Sequence, residues 1–148
     1  HECSSAASDV YKRQALYGFY PILAMMIFRS LTHFLSESAG LVNIANINIL
    51  PLINGIDPNN LVYLFASLWG ASQLILTLLI IVIFLKYKSL LPLLWIILII
   101  DILFRFVSGY IHPLTEEYYS AVPPGRLSQV PLLAYGTLMF FLSIRNND

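Results

Sequence analysis

Leu61–Leu85, LVYLFASLWGASQLILTLLIIVIFL, contains no charged residue. A hydrocarbon core is crossed by about 20 apolar residues of helix, so this stretch predicts a transmembrane helix. On its C-terminal side Leu90–Ile111, LLPLLWIILIIDILFRFVSGYI, is interrupted only by the charges of Asp101 and Arg105. On its N-terminal side Ala15–Leu35 is apolar apart from Arg29, His33 and the small hydroxyl residues Ser30 and Thr32. The last candidate, Leu127–Ile144, is shorter and has Pro131 near its start; little tilt or local bilayer thinning would accommodate it. Hydrophobic residues make up 58% of the chain and its mean hydropathy is +0.76. Runs of this length leave almost no amphipathic surface for a soluble fold. The expected fold class is therefore all-α: an integral membrane four-helix bundle, with helices at about 15–35, 61–85, 90–111 and 127–144.

The residues before Ala15 read differently. Ser4–Gln14, SSAASDVYKRQ, is the codon-by-codon translation of a transposase sequencing adapter. Segments of non-native origin are set aside before a fold is read. Residues 1–14 are thus expected to be adapter-derived, and 15–148 to form a single transmembrane domain. Cys3, the one cysteine, goes with the adapter. The rest of the chain then offers no disulfide, thiolate nucleophile or Cys-ligated metal.

The remaining charges balance. Arg29, Lys86, Lys88, Arg105, Arg126 and Arg145 face Glu37, Asp57, Asp101, Glu116, Glu117 and Asp148. No basic patch could neutralise a run of phosphates, so nucleic acid is excluded as a partner. Lys86 and Lys88 lie in the short turn between the second and third helices, and Arg145 follows the fourth. The two longer loops, 36–60 and 112–126, hold mostly acids. The positive-inside rule then places the lysine turn and the C-terminus in the cytoplasm.

The first outer loop is long and apolar. Ala39–Ile56, AGLVNIANINILPLINGI, interleaves asparagines with aliphatic residues. Its polar positions and Pro51 make it too short to span, which suggests an interfacial or partly re-entrant segment over the outer mouth of the bundle. In the second loop, Pro123-Pro124-Gly125 forces a turn before the last helix.

Ionisable groups within a membrane are costly and mark functional sites. Here they repeat a spacing: Arg29 and His33, Trp69 and Gln73, Asp101 and Arg105 are each four residues apart, and so share a helical face. With ~1.5 Å of rise per residue, all six fall in the outer half to middle of the membrane. They are the candidate ligand-binding residues, converging in one polar chamber. Two arginines against one aspartate leave an excess positive charge, suited to a carboxylate or phosphate. A metal site is disfavoured because His33, His112 and Asp101 lack metal-ligand spacing. No cofactor fingerprint is present.

Arg29-x3-His33, Gly40 with Asn43-Ile44-Ala45, Trp69-Gly70-x2-Gln73 and Lys86-Tyr87-Lys88-Ser89-Leu90-x-Pro92-Leu93 together resemble a group of small, uncharacterised bacterial four-helix membrane proteins. Asp101-x3-Arg105, His112-Pro113 and Pro123-Pro124-Gly125 extend the likeness over Ala15–Ile144. Asp101 stands where the group more often has Glu, a longer side chain. The resemblance implies a multi-pass protein of the bacterial plasma (inner) membrane. The layout is also similar to DoxX-like and EXPERA-type proteins, a likeness of architecture that transfers no activity. Three functional readings follow: a bundle binding a lipid, quinone or other small amphiphile through an anionic head group; a membrane enzyme using Asp101 or His33 in acid/base chemistry; and a structural or accessory subunit whose polar groups only lock the helices.

Overall fold

The computed structural model describes the backbone of residues 2–145 and the side chains of residues 9–145. The chain forms α1 (Glu2–Leu35), α2 (Asn59–Lys86), α3 (Leu91–Ile111), the single turn α4 (Pro124–Leu127) and α5 (Gln129–Ile144). Short 3-10 turns precede α3 at Lys88–Leu90 and follow it at Glu116–Tyr118. Among the described residues, extended backbone pairs only as isolated bridges. The chain is all-helical, as its composition predicts.

Three helical segments are long and apolar enough to cross a membrane: Asp9–Leu35, Asn59–Lys86 and Lys88–Ile111. Gln129–Ile144 is apolar but has 16 residues, or about 24 Å of helix. Two boundaries differ from the sequence reading. The helix of α1 continues N-terminally through residues 2–14 without a break, and Pro21 sits within it. The last helix is divided: Pro123 and Pro124 start α4, and α5 begins only at Gln129.

The surface is of the kind that lipid can solvate. On α2, Leu61, Leu64, Phe65, Leu68, Ile75, Leu78, Leu79 and Leu85 are all more than half exposed. In water such a continuous apolar face would be an aggregation surface. In a bilayer it faces acyl chains as apolar as itself, and the helices associate through packing and hydrogen bonds instead.

That packing is aromatic near the short Tyr87–Leu90 turn. Phe19 of α1 stacks on Phe84 of α2 at 5.3 Å and meets Trp95 of α3 edge-on at 5.0 Å. Trp95 in turn meets Tyr135 of α5 at 5.8 Å. Phe19 and Trp95 are completely buried. Each such pair adds ~0.5–1.5 kcal/mol beyond its buried area. The cluster therefore ties four helices together at one level.

Toward the long loops the helices are arranged differently. A Cβ built on Gly70 of α2 would lie 2.6 Å from both the His33 carbonyl carbon and the Phe34 nitrogen. Only glycine permits this approach of α2 to the α1 backbone, and Ser67 Oγ adds a hydrogen bond to the Phe34 carbonyl at 3.0 Å. Nearer the short turn, α1 meets α5 as well as α2: Tyr135 donates its hydroxyl to the Gly18 carbonyl at 2.9 Å, beside the Phe19–Phe84 stack. So α1 is held to α5 at Gly18 and to α2 at Gly70. A wedge between α1, α3 and α5 opens toward the long loops.

The loops close over that wedge. Asn48 donates its side-chain amide to the Glu117 carbonyl at 2.8 Å, and the backbones of Asn46 and Ser120 and of Asn48 and Tyr118 pair at 2.9 Å. The first loop is therefore bound to the second. Asn59, buried at the start of α2, anchors its far end by bonding both the amide and the carbonyl of Leu50.

Replacing Gly70 by alanine is expected to destabilise the purified protein by about 1–3 kcal/mol, because the backbone of α1 must retreat. Gly109→Ala, whose Cβ meets nothing within 4 Å, serves as the comparison and should be tolerated. Thermal unfolding in detergent measures both; equal stability of the two variants would contradict the close α1–α2 contact.

Candidate functional site

The wedge contains a cavity of about 430 Å³. Its polar wall is made by Arg29 and His33 of α1, Trp69 of α2, and Asp101 and Arg105 of α3. Met25, Leu98, Ile102 and Leu132 line the apolar part. The loops contribute Leu41, Ile44 and Ala45 from one side and Pro123–Gly125 from the other.

Asp101 is the centre of the polar wall. Its Oδ2 accepts hydrogen bonds from Arg105 Nη2 at 2.6 Å and Arg105 Nε at 3.1 Å. The four-residue spacing on α3 puts the two side chains one turn apart on one face, which makes this pair local. Arg29 Nη2 reaches the same oxygen from α1 at 3.8 Å. It also donates to Gln73 Oε1 of α2 at 2.7 Å. One carboxylate and one carboxamide thus hold two guanidiniums, and the four side chains bridge three helices.

The remaining two residues complete the row. The Arg29 guanidinium carbon lies 5.7 Å from the centre of the Trp69 ring, within cation–π range. The His33 ring packs on the other side of this group, 4.8 Å from Trp69. His33 is buried, and its Nδ1 donates to the Ala39 carbonyl at 2.6 Å. The tautomer is fixed by that bond, with the ring held against the first loop. Ala39 itself adopts a left-handed φ of 50°, which turns the chain at the end of α1.

All six residues singled out in the sequence therefore converge. They do not play one part. Gln73 does not line the cavity; it positions Arg29 from behind. Asp101 and Arg105 retain side-chain exposures of 24% and 23%, and Arg29 of 20%. The wall is partly accessible rather than sealed in the core. Two cations face one anion, leaving a single positive charge uncompensated within it.

Two neighbouring hollows also touch Arg105. One, of about 310 Å³, lies between α2 and α3 against Trp69, Asp101, Phe104 and Ser108. The other, of about 450 Å³, lies beneath the second loop and includes His112, Tyr119 and Arg126. His112 is thus separated from the His33 side of the site. No group of three or more metal-ligating side chains is assembled among the described residues.

The loop residues that line the cavity are what residue-type reasoning did not single out as site members. Ile44, Ala45 and the Pro123–Gly125 turn carry no chemistry of their own. Their signal lay in the apolar character of the first loop and the forced turn of the second. Comparison with protein-family models, curated proteins and solved structures yields no match to this chain.

Proposed function

We propose that this chain is a multi-pass protein of the bacterial plasma membrane that binds a small amphiphile through its anionic head group. The observation that carries the reading is the composition of one cavity. Two guanidiniums share a single carboxylate on the wall of a hollow whose other lining is mostly apolar. Its volume suits a small-molecule site, for which ~300–1,000 Å³ is usual. A carboxylate or phosphate would neutralise the excess charge and receive the planar donors that Arg offers. The apolar walls would take the adjoining part of the tail. A purely structural lock would need the same ion pairs but no hollow beside them, so the cavity favours a ligand.

The placement in the membrane belongs to the same proposal. Four crossings are reached when Gln129–Ile144 spans with local thinning of the bilayer. The Lys86–Lys88 turn and Arg145 then lie in the cytoplasm, and the loops with Glu37, Asp57, Glu116 and Glu117 lie outside. The chamber occupies the outer half. Residues 1–14 add nothing to this arrangement if they are adapter-derived.

Native mass spectrometry of the protein released from mild detergent tests the binding. The wild-type protein should retain an amphiphile of defined mass, Arg105→Ala should lose it, and Lys88→Ala at the opposite end should keep it. A wild-type protein that carries none, and that also fails to bind dodecyl phosphate, would contradict the proposal.

Deleting residues 1–14 yields a cysteine-free chain in which the topology can be read. Insertion should be unaffected. A cysteine replacing Ser120 should react with an impermeant thiol reagent on intact cells, whereas one replacing Ser89 should not. Reaction at Ser89 alone would invert the orientation, reaction at both would break the four-span count, and failure to insert would show that the first residues belong to the fold.

A further inference from the structure

The cleft beneath the second loop is not explained by a single head group in the chamber. It holds about 450 Å³ between the end of α3 and α4. Arg105, Pro123 and Gln129 line both it and the chamber, so the two hollows are contiguous across the Arg105 side chain. The cleft adds Arg126, His112 and Tyr119 to the wall.

Its electrostatics differ from those of the chamber. Arg105 is committed to Asp101, but among the described residues Arg126 makes only one polar side-chain contact, a long hydrogen bond from Nη1 to the Tyr119 hydroxyl at 3.4 Å. Among the described residues, no carboxylate lies within ion-pair distance of Arg126 or His112. Glu116 and Glu117 are in the adjoining 3-10 turn, yet they pair with neither. The loop that carries them is instead fixed through its backbone, by Asn48 and Asn46 of the first loop. The cleft is therefore a second cationic region, joined to the first through a shared arginine. Arg29, Arg105 and Arg126 against Asp101 make the combined surface carry two positive charges.

We propose that the two hollows together recognise a head group with two linked anionic groups, of the diphosphate type. One group would sit against Arg29 and Arg105 in the chamber. The second would sit beyond Arg105, against Arg126, with His112 and the Tyr119 hydroxyl as further donors. This rests on the chamber reading above and narrows its ligand class. Arg105, touching both hollows, is the residue that both anionic groups would share. Phosphate oxygens suit this arrangement because each offers several acceptor positions to converging guanidinium donors.

Two probes with one tail separate the alternatives. Farnesyl phosphate and farnesyl diphosphate are titrated against the full chain in phosphatidylcholine nanodiscs. An extra charge-assisted contact is expected to favour the diphosphate by at least about tenfold. Arg126→Ala should collapse that ratio toward one, and His112→Ala should reduce it. Lys88→Ala, at the other end of the bundle, should leave the ratio unchanged. Equal binding of both probes by the wild-type protein would overturn the second subsite while leaving the chamber reading intact. A diphosphate preference that survives both Arg126→Ala and His112→Ala would overturn it as well. Binding of neither probe would overturn the diphosphate assignment, while the chamber reading stands or falls on the retained amphiphile and dodecyl phosphate.

Discussion

The Asp101 carboxylate is the constraint on which the polar half of this bundle depends. An arginine placed alone at the centre of a membrane helix costs ~2.5–3.5 kcal/mol even on the lenient insertion scale. The chain carries two, on different helices. Arg105 is compensated within α3 by the residue one turn before it. Arg29 has no acid on its own helix face and reaches across to the same oxygen. It completes its environment with Gln73 and the face of Trp69, both from α2. Solving the problem of Arg29 therefore fixes the relative placement of α1, α2 and α3.

The apolar half makes that placement possible. Within lipid no hydrophobic gain draws helices together, so close packing has to do so. Phe19, Phe84, Trp95 and Tyr135 fill one level with interlocking rings. Beyond that level the α1 backbone approaches α2 closely at Gly70. The space between α1, α3 and α5 is roofed by loops. The aromatic level and the hollow that carries the buried charges thus lie at different heights of one bundle.

Much of this was legible in the residues. An uncharged run such as Leu61–Leu85 has no stable alternative to a buried or membrane helix, and the four-residue spacings fixed which polar groups share a face. Convergence of Arg29, Gln73 and Asp101 followed from energetics, since lipid-facing placement satisfies none of them. What the residues did not disclose depends on tertiary geometry. The division of the last helix at Ser128 and the uninterrupted helix upstream of Ala15 are boundary effects that composition leaves open. Gly70 signals a close approach but not which backbone approaches it. The bond between the loops at Asn48 and Glu117 joins residues 69 positions apart, and neither side carries a pattern that names the other. The separate role of Gln73, behind the cavity rather than in it, follows from the direction in which Arg29 extends.

The link between α1 and α3 is the most direct point of attack. A double-mutant cycle with Arg29→Gln and Asp101→Asn, read by unfolding of the purified protein in detergent, isolates their interaction from the separate effects of each change. The expected coupling is at least about 0.5 kcal/mol, with the double variant less destabilised than the sum of the single ones, because each change alone strands the partner's charge. Strict additivity, within about 0.3 kcal/mol, would mean that Arg29 and Asp101 do not meet, and the shared chamber would have to be abandoned.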